Sequence, residues 1–280
     1  MRTETIQTSI GPAQVLHRLA LGLMLFDAVT DREATAGLRV GWEASGHFLP
    51  RGATPEWPCV DFERVGAGRF RLRVAPRPVG LTVRVSDPSR RYVPRRFTVP
   101  WWTQAQLTDP VPANALSVVS RTLRFWLWPG AAYPLPTGTT AIRGRIMQAG
   151  IPVPWVRITA RGTTGASLGL AHGDDRGEFR LVITDIAQNP VQSSVTVRLV
   201  LRGPATAPIE LPDDGLVDPP PAEVVTRPGN PPNLPGDLDN DLLRGIRPPF
   251  ALVPSVPPPP QFTVPVGRET VIATNIPFHP

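Results

Sequence analysis

Lysine is absent from this 280-residue chain, and all 29 of its basic residues are arginine. Guanidinium groups are planar, fork-shaped and weakly hydrated, so a basic surface made of them alone suits protein interfaces better than one made of ammonium groups. Cysteine occurs once, at Cys59, which excludes an intramolecular disulfide framework and favours folding in a reducing compartment. Long apolar runs are also missing. The most apolar stretch, Leu19 to Phe26, falls well short of the ~20 residues that cross a bilayer, and Met1 to Thr5 lead into polar Gln7-Thr8-Ser9, so no signal peptide is visible. These absences predict a soluble protein made in the cytoplasm, without membrane insertion.

Catalytic signatures are lacking as well. His17, His47, His172 and His279 are scattered, with no second histidine or cysteine at ligand spacing, so no zinc site is expected. Asp237-Leu238-Asp239-Asn240-Asp241 opens like a calcium loop. However, Leu242 stands where that loop needs glycine and Pro248 where it needs a bidentate glutamate, so the segment reads as an acidic turn. There is no G-x-S-x-G elbow, H-E-x-x-H pair or phosphate loop. The expectation is a non-enzyme with no cofactor and no metal.

Proline and glycine are abundant, at 37 and 24 residues, which argues against long helices because proline removes a helix donor and clashes with the preceding turn. Alternation supplies the strands. Leucines at every second position from Leu19 to Leu25 share one strand face, and Leu123, Phe125 and Leu127 alternate with Arg124, Trp126 and Trp128. Further strands are expected over 69–74, 81–86, 95–99 and 116–119. Two segments about a hundred residues apart nearly repeat: Gly68-Arg69-Phe70-Arg71-Leu72 and Gly177-Glu178-Phe179-Arg180-Leu181. Their flanking strands recur at unequal offsets, which marks a diverged pair of modules rather than a solenoid.

The fold class expected is all-β. It comprises an N-terminal segment (1–14), a first small β-sandwich (15–136), a second (137–203) and a proline-rich extended C-terminal arm (204–280). The second sandwich is near the lower size limit for a lone domain and is expected to borrow contacts. The arm holds 20 of the prolines and cannot build its own core, although Phe262 to Val266 and Glu269 to Ala273 read as short strands able to complete a sheet edge. Charge divides the same way. Residues 1–203 carry 25 arginines against 14 acids, and 204–280 carry four against nine, so the arm has the sign to lie across its own body or a neighbour.

Phe26-Asp27-Ala28-Val29-Thr30-Asp31, then Gly37-Leu38-Arg39-Val40, Gly68-Arg69-Phe70 and Tyr92-Val93-Pro94 resemble the carboxypeptidase regulatory-like family of transthyretin-like, Ig-like β-sandwiches. Ile142 to Ile146, Ile151 to Val156 and Asp174-Asp175-Arg176-Gly177-Glu178-Phe179 resemble it a second time, without the Tyr-x-Pro. In the second copy Asp should cap the turn, Gly supply a positive φ and Phe enter the core. The resemblance implies a non-catalytic accessory domain that serves folding, assembly or binding. Such sandwiches decorate peptidases, outer-membrane receptors and phage-tail-like contractile particles.

Two groups of residues are candidate partner contacts. Arg90, Arg91, Arg95 and Arg96 crowd beside Tyr92 and Phe97, a pattern that reads as a protein-facing or solvated basic edge rather than a nucleic-acid site. Trp101, Trp102, Trp126 and Trp128 could stack on sugar rings or be buried at a junction. The reading favoured is a structural or adaptor subunit of an oligomeric assembly, with a contractile injection particle as the example the resemblance supplies and a cytoplasmic or released particle as its location. The alternative is a carbohydrate-binding or cell-surface module.

Overall fold

The computed structural model describes residues 19–35, 37–43, 57, 59–72, 81–99, 121–184, 193–206, 220–225, 240–259 and 261–280. The architecture is all-β, with two sandwiches, each with its own core. The first takes β1 (Leu21–Asp27), β2 (Arg39–Glu43), β3 (Cys59–Asp61), β4 (Glu63–Arg64), β5 (Arg69–Leu72), β6 (Leu81–Ser86), β7 (Arg95–Val99) and β8 (Thr122–Leu127). One sheet runs β4-β5-β1-β8, with β1 and β8 parallel; the other places β7-β6-β2-β3 side by side. Alternation fills the space between them. Leu21, Leu23 and Leu25 of β1 face Val83, Val85 and Phe97, and Leu123, Phe125 and Leu127 of β8 join the same core. Phe97 stacks on Phe125 with ring centroids 3.8 Å apart. Each buried leucine contributes roughly 1.5–3 kcal/mol.

The second sandwich starts with β9 (Ala141–Gln148), β10 (Ile151–Pro152), β11 (Arg157–Arg161), β12 (Ser167–His172), β13 (Glu178–Val182) and β14 (Ser194–Pro204). Its sheets are β10-β9-β13 and β12-β11-β14. The Asp-x-x-Gly-x-Phe turn forms as its chemistry dictates. Asp174 Oδ1 accepts the backbone N–H groups of Arg176 and Glu178, both at 2.9 Å, Gly177 takes φ +69°, and Phe179 packs in the core.

The C-terminal segment, expected as an extended arm, contributes to both sandwiches. First come β15 (Glu223–Val224), parallel to β7, and a single helix turn, α1 (Asn240–Arg244), which together place Val225, Leu242 and Leu243 in the first core. The chain then crosses over. β16 (Leu252–Pro254) and β17 (Gln261–Pro265) add to β14, while β18 (Glu269–Val271) and β19 (Ile276–Pro277) run parallel along β9. Val264, Ile276 and Phe278 fill the second core. Among the described residues, Pro254, Pro265 and Pro277 each end a short strand, where a missing donor costs the ladder little. Of the other expected strands, 116–119 lies outside the described residues, and 69–74 is seen as Arg69–Leu72.

Candidate functional site

The four clustered arginines do not form one surface. β7 sends Arg95, Phe97 and Val99 inward and Arg96 and Thr98 outward, so neighbours in sequence part company. Arg95 is fully buried and cannot be a surface contact. Its side chain lies over the Phe97 ring, 4.5 Å from the centroid. Its five N–H donors make five hydrogen bonds: Nε and Nη2 to Glu223 at 2.9 and 2.6 Å, Nη1 to the carbonyls of Trp126 and Leu243 at 2.6 and 2.8 Å, and Nη2 to the carbonyl of Leu242 at 2.7 Å. One side chain thereby joins β7, β8, β15 and α1.

Glu223, itself buried, also accepts from Arg157 Nη2 of β11 at 3.0 Å, which carries the network into the second sandwich. Burial pulls the Arg157 pKa down to about 10, with Glu223 opposing and Arg95 adding to the shift. Directly across the β11–β12 ladder from Arg157 stands buried His172. Its Nε2 lies 2.9 Å from the Gly245 carbonyl, which can only accept, so Nε2 carries the proton and Nδ1 is bare. Burial, then the positive charges of Arg157 and Arg95, hold its pKa well below the usual histidine range. His172 Nδ1 and Arg157 Nε are each without a hydrogen-bond partner among the described residues.

The carbonyl end of α1 is wedged into this junction. Gly245 has φ +76°, and a Cβ there would fall 2.7 Å from both His172 Cε1 and Trp128 Nε1, so only glycine fits. Trp128 donates to the Arg244 carbonyl at 2.9 Å and lies 5.3 Å from the imidazole, centroid to centroid. Trp126 donates to Asp31 at 2.6 Å, stacks on Phe26 at 5.2 Å and lies under Arg244 at 4.9 Å. A sugar stacking on Trp126 would compete with Phe26 and Arg244 for its ring, while Trp128 is tied to the junction through Arg244 and His172. Trp101 and Trp102 lie outside the described residues.

The remaining arginines serve other partners. Arg90 reaches across to Asp175 at 3.3 Å and Asp174 at 3.7 Å in the second sandwich. The backbone of Arg91 donates to Asp87 at 2.9 Å. Arg96 and Arg84 share Glu43 on the outer face of the first sandwich, at 2.7 and 2.6 Å. Burial pushes the Glu43 carboxyl up, but hydrogen bonds from Arg96 and Arg84 outweigh it and hold the group below the ordinary range.

A second link forms at the connecting segment. Asp27 Oδ1 caps its own turn through Val29 and Thr30, and Oδ2 accepts the phenols of Tyr92 and Tyr133 at 2.8 and 2.7 Å. The Tyr133 carbonyl in turn accepts from Arg180 of β13. Burial first and Asp27 second push both tyrosines well above their usual range.

Chemically, this arrangement locks elements together; it offers no nucleophile beside a base. Among the described residues no three His, Cys, Asp or Glu side chains gather to hold a metal. No described helix is long and apolar enough to cross a membrane. The acidic turn's Asp237 and Asp239 are outside the described residues, and Leu242 packs in the first core. Sequence reasoning missed Glu223, Arg157, His172 and Gly245. The available signal was the shared phase of Arg95 and Phe97, which puts both on one strand face.

No family model matches the chain, and neither does any curated protein. Among solved structures, the chain is similar to the Bacillus anthracis TIE protein at 10% identity and a TM-score of 0.22, over 65% of this chain and 27% of that one. It is similar to a Streptococcal ancillary pilin at 11% identity and a TM-score of 0.21, over 94% and 62%. A shaft pilin, SpaA, from Lactobacillus rhamnosus GG aligns at 8% identity and a TM-score of 0.22, over 94% and 97%. The chain thus spans less than two thirds of the first two. Likeness of this size assigns neither family nor activity.

Proposed function

We propose that the protein is a non-catalytic structural subunit whose two sandwiches, read as diverged carboxypeptidase regulatory-like domains, act as one rigid piece in a larger protein assembly. The observation that carries this reading is the Arg95–Glu223–Arg157 junction, where a C-terminal strand pins both sandwiches through buried charges. Burying three ionisable side chains costs several kcal/mol per ion before their attraction repays it. Such a device secures relative orientation, which a load-bearing or adaptor piece needs and a flexible pair of binding modules does not. A contractile, tail-like particle is the assembly the family resemblance suggests, and the protein would travel with it rather than insert in a membrane.

Sedimentation of a native lysate through a density gradient tests the assembly. The chain is expected in a megadalton fraction with other structural proteins, and migration as a free 30 kDa species sinks the reading. Small-angle scattering tests the rigid piece. One compact particle is expected for the full chain, and a spread of inter-sandwich distances overturns it.

A further inference from the structure

The outer face of the second sandwich carries like charges opposite one another. β11 and β14 pair with Arg157 against Arg202, Thr159 against Val200 and Arg161 against Arg198. Ile158, Ala160, Leu199 and Leu201 of these strands point into the core, so alternation turns every one of those arginines to the other side. Like charges directly opposite destabilise an antiparallel pair. At one end the strain is relieved, because Glu223 reaches Arg157 inside the junction.

No such relief reaches the other three arginines, Arg202 across from Arg157 and the Arg161–Arg198 pair at the far end. Arg161, Arg198 and Arg202 are exposed, and among the described residues none has a carboxylate partner. Arg161 and Arg202 donate only to the carbonyls of Gly165 and Leu252, at 3.3 and 3.5 Å. The flanking strands set Ser167 opposite Arg161 and Gln261 opposite Arg198, polar but uncharged. Between the two arginine rows runs a half-buried row of Leu170, Thr159 and Val200. The face is therefore a shallow apolar strip with Arg161 and Arg198 on one side and Arg202 on the other, none of them with a carboxylate partner among the described residues.

The geometry points to an acidic polysaccharide as the ligand of this face, its carboxylates held by Arg161, Arg198 and Arg202 and the C–H faces of its sugar rings lying on the Leu170–Thr159–Val200 strip. Guanidinium forks match carboxylates bidentately. A single-stranded nucleic acid would want aromatic side chains to stack its bases, and none lies among these face residues. An extended acidic peptide adding a strand would bind at an edge rather than across a face, and β11 and β14, which carry all three arginines, are paired on both sides. This inference does not depend on the assembly reading, since it concerns exposed side chains that take no part in the Arg95–Glu223–Arg157 network.

Affinity electrophoresis of the full chain in gels containing polygalacturonate tests it. Retardation is expected, falling as salt is added and weakened roughly tenfold in the Arg161→Gln/Arg198→Gln/Arg202→Gln variant, as for three exposed ion pairs. An Arg69→Gln/Arg71→Gln variant, whose exposed arginines already pair with Glu33 and Glu63, should bind like the parent. All three target side chains are exposed and two like-charge pairs are relieved, so a thermal melt no lower than the parent's will accompany the loss. The proposal is overturned if the triple variant binds like the parent, if neutral dextran retards the chain equally, or if duplex DNA or polyglutamate binds as tightly as polygalacturonate.

Discussion

The two sandwiches carry a turn-capping aspartate each and use it differently. In the first, Asp27 is buried at the end of β1 and collects two backbone N–H groups and both tyrosines of the chain. In the second, Asp174 is buried too, caps a hairpin-like turn through two N–H groups and faces Arg176 and Arg90, whose side chains are exposed. The same local chemistry thus makes an internal hub in one module and a link between modules in the other. Completeness differs too. From the C-terminal segment the first sandwich takes one strand and a helix turn, and the second takes four strands.

The largest effect is expected where both sandwiches meet. Glu223→Ala leaves two buried guanidiniums facing each other and should cost about 3–5 kcal/mol. Denaturation followed by a probe in each sandwich should show both transitions shifting down, and a shift in only one would mean that the junction does not couple them. Phe278→Ala separates the two cores. It should cost about 3–5 kcal/mol in the second sandwich and leave the first nearly unmoved, with Phe125→Ala giving the converse. Hydrogen exchange of β8 against β9 amides would read the difference.

The aspartates sharpen the contrast at smaller scale. Asp27→Ala strands two phenols and two N–H groups out of water, so it should cost roughly 1–3 kcal/mol more than Asp174→Ala, whose neighbours can turn to solvent. Equal losses by urea denaturation would deny the hub its special place.

Smallest and most gradual is the effect of pH on His172. Its folded pKa lies well below the 6.5 of an ordinary histidine, so below 6.5 the unfolded chain binds the proton and the folded chain does not. That contribution to stability is complete above 6.5 and is lost on acidification at up to about 1.4 kcal/mol per pH unit. His172→Gln should flatten this slope between pH 6.5 and 5. An unchanged slope would place the titration elsewhere.

What could be read in the sequence was local. The leucines of β1 and the alternating run of β8 announce their own burial, because a strand's period of two is written in consecutive residues. The Asp174 turn was legible for the same reason. The junction was not, since Arg95 and Glu223 are 128 residues apart and nothing local tells an arginine that a carboxylate will meet it in the interior. The proline-rich segment was legible in part, since the strands expected at Phe262–Val266 and Glu269–Ala273 are seen as β17 and β18, but its crossing between two cores was not. Its few large apolar residues, Leu242, Leu243, Val264, Ile276 and Phe278, each fill a slot in a core built by other parts of the chain, which a search for a self-contained core overlooks.

The crossover of the C-terminal segment also sets a schedule. A ribosome delivers the chain in order, and domains commonly close as they emerge. Here neither sandwich can. The first waits for Glu223 and the helix turn at Leu242, and β9 waits some 130 residues for Ile276 and Pro277 to lie beside Ile146 and Met147. Each module therefore keeps an open sheet edge and a gap in its core until the segment after Glu223 is made, which completes the first by Arg244 and the second only with β16 to β19. Pairings of such long sequence separation are slow to form, and a chain interrupted before Glu223 leaves neither sandwich complete.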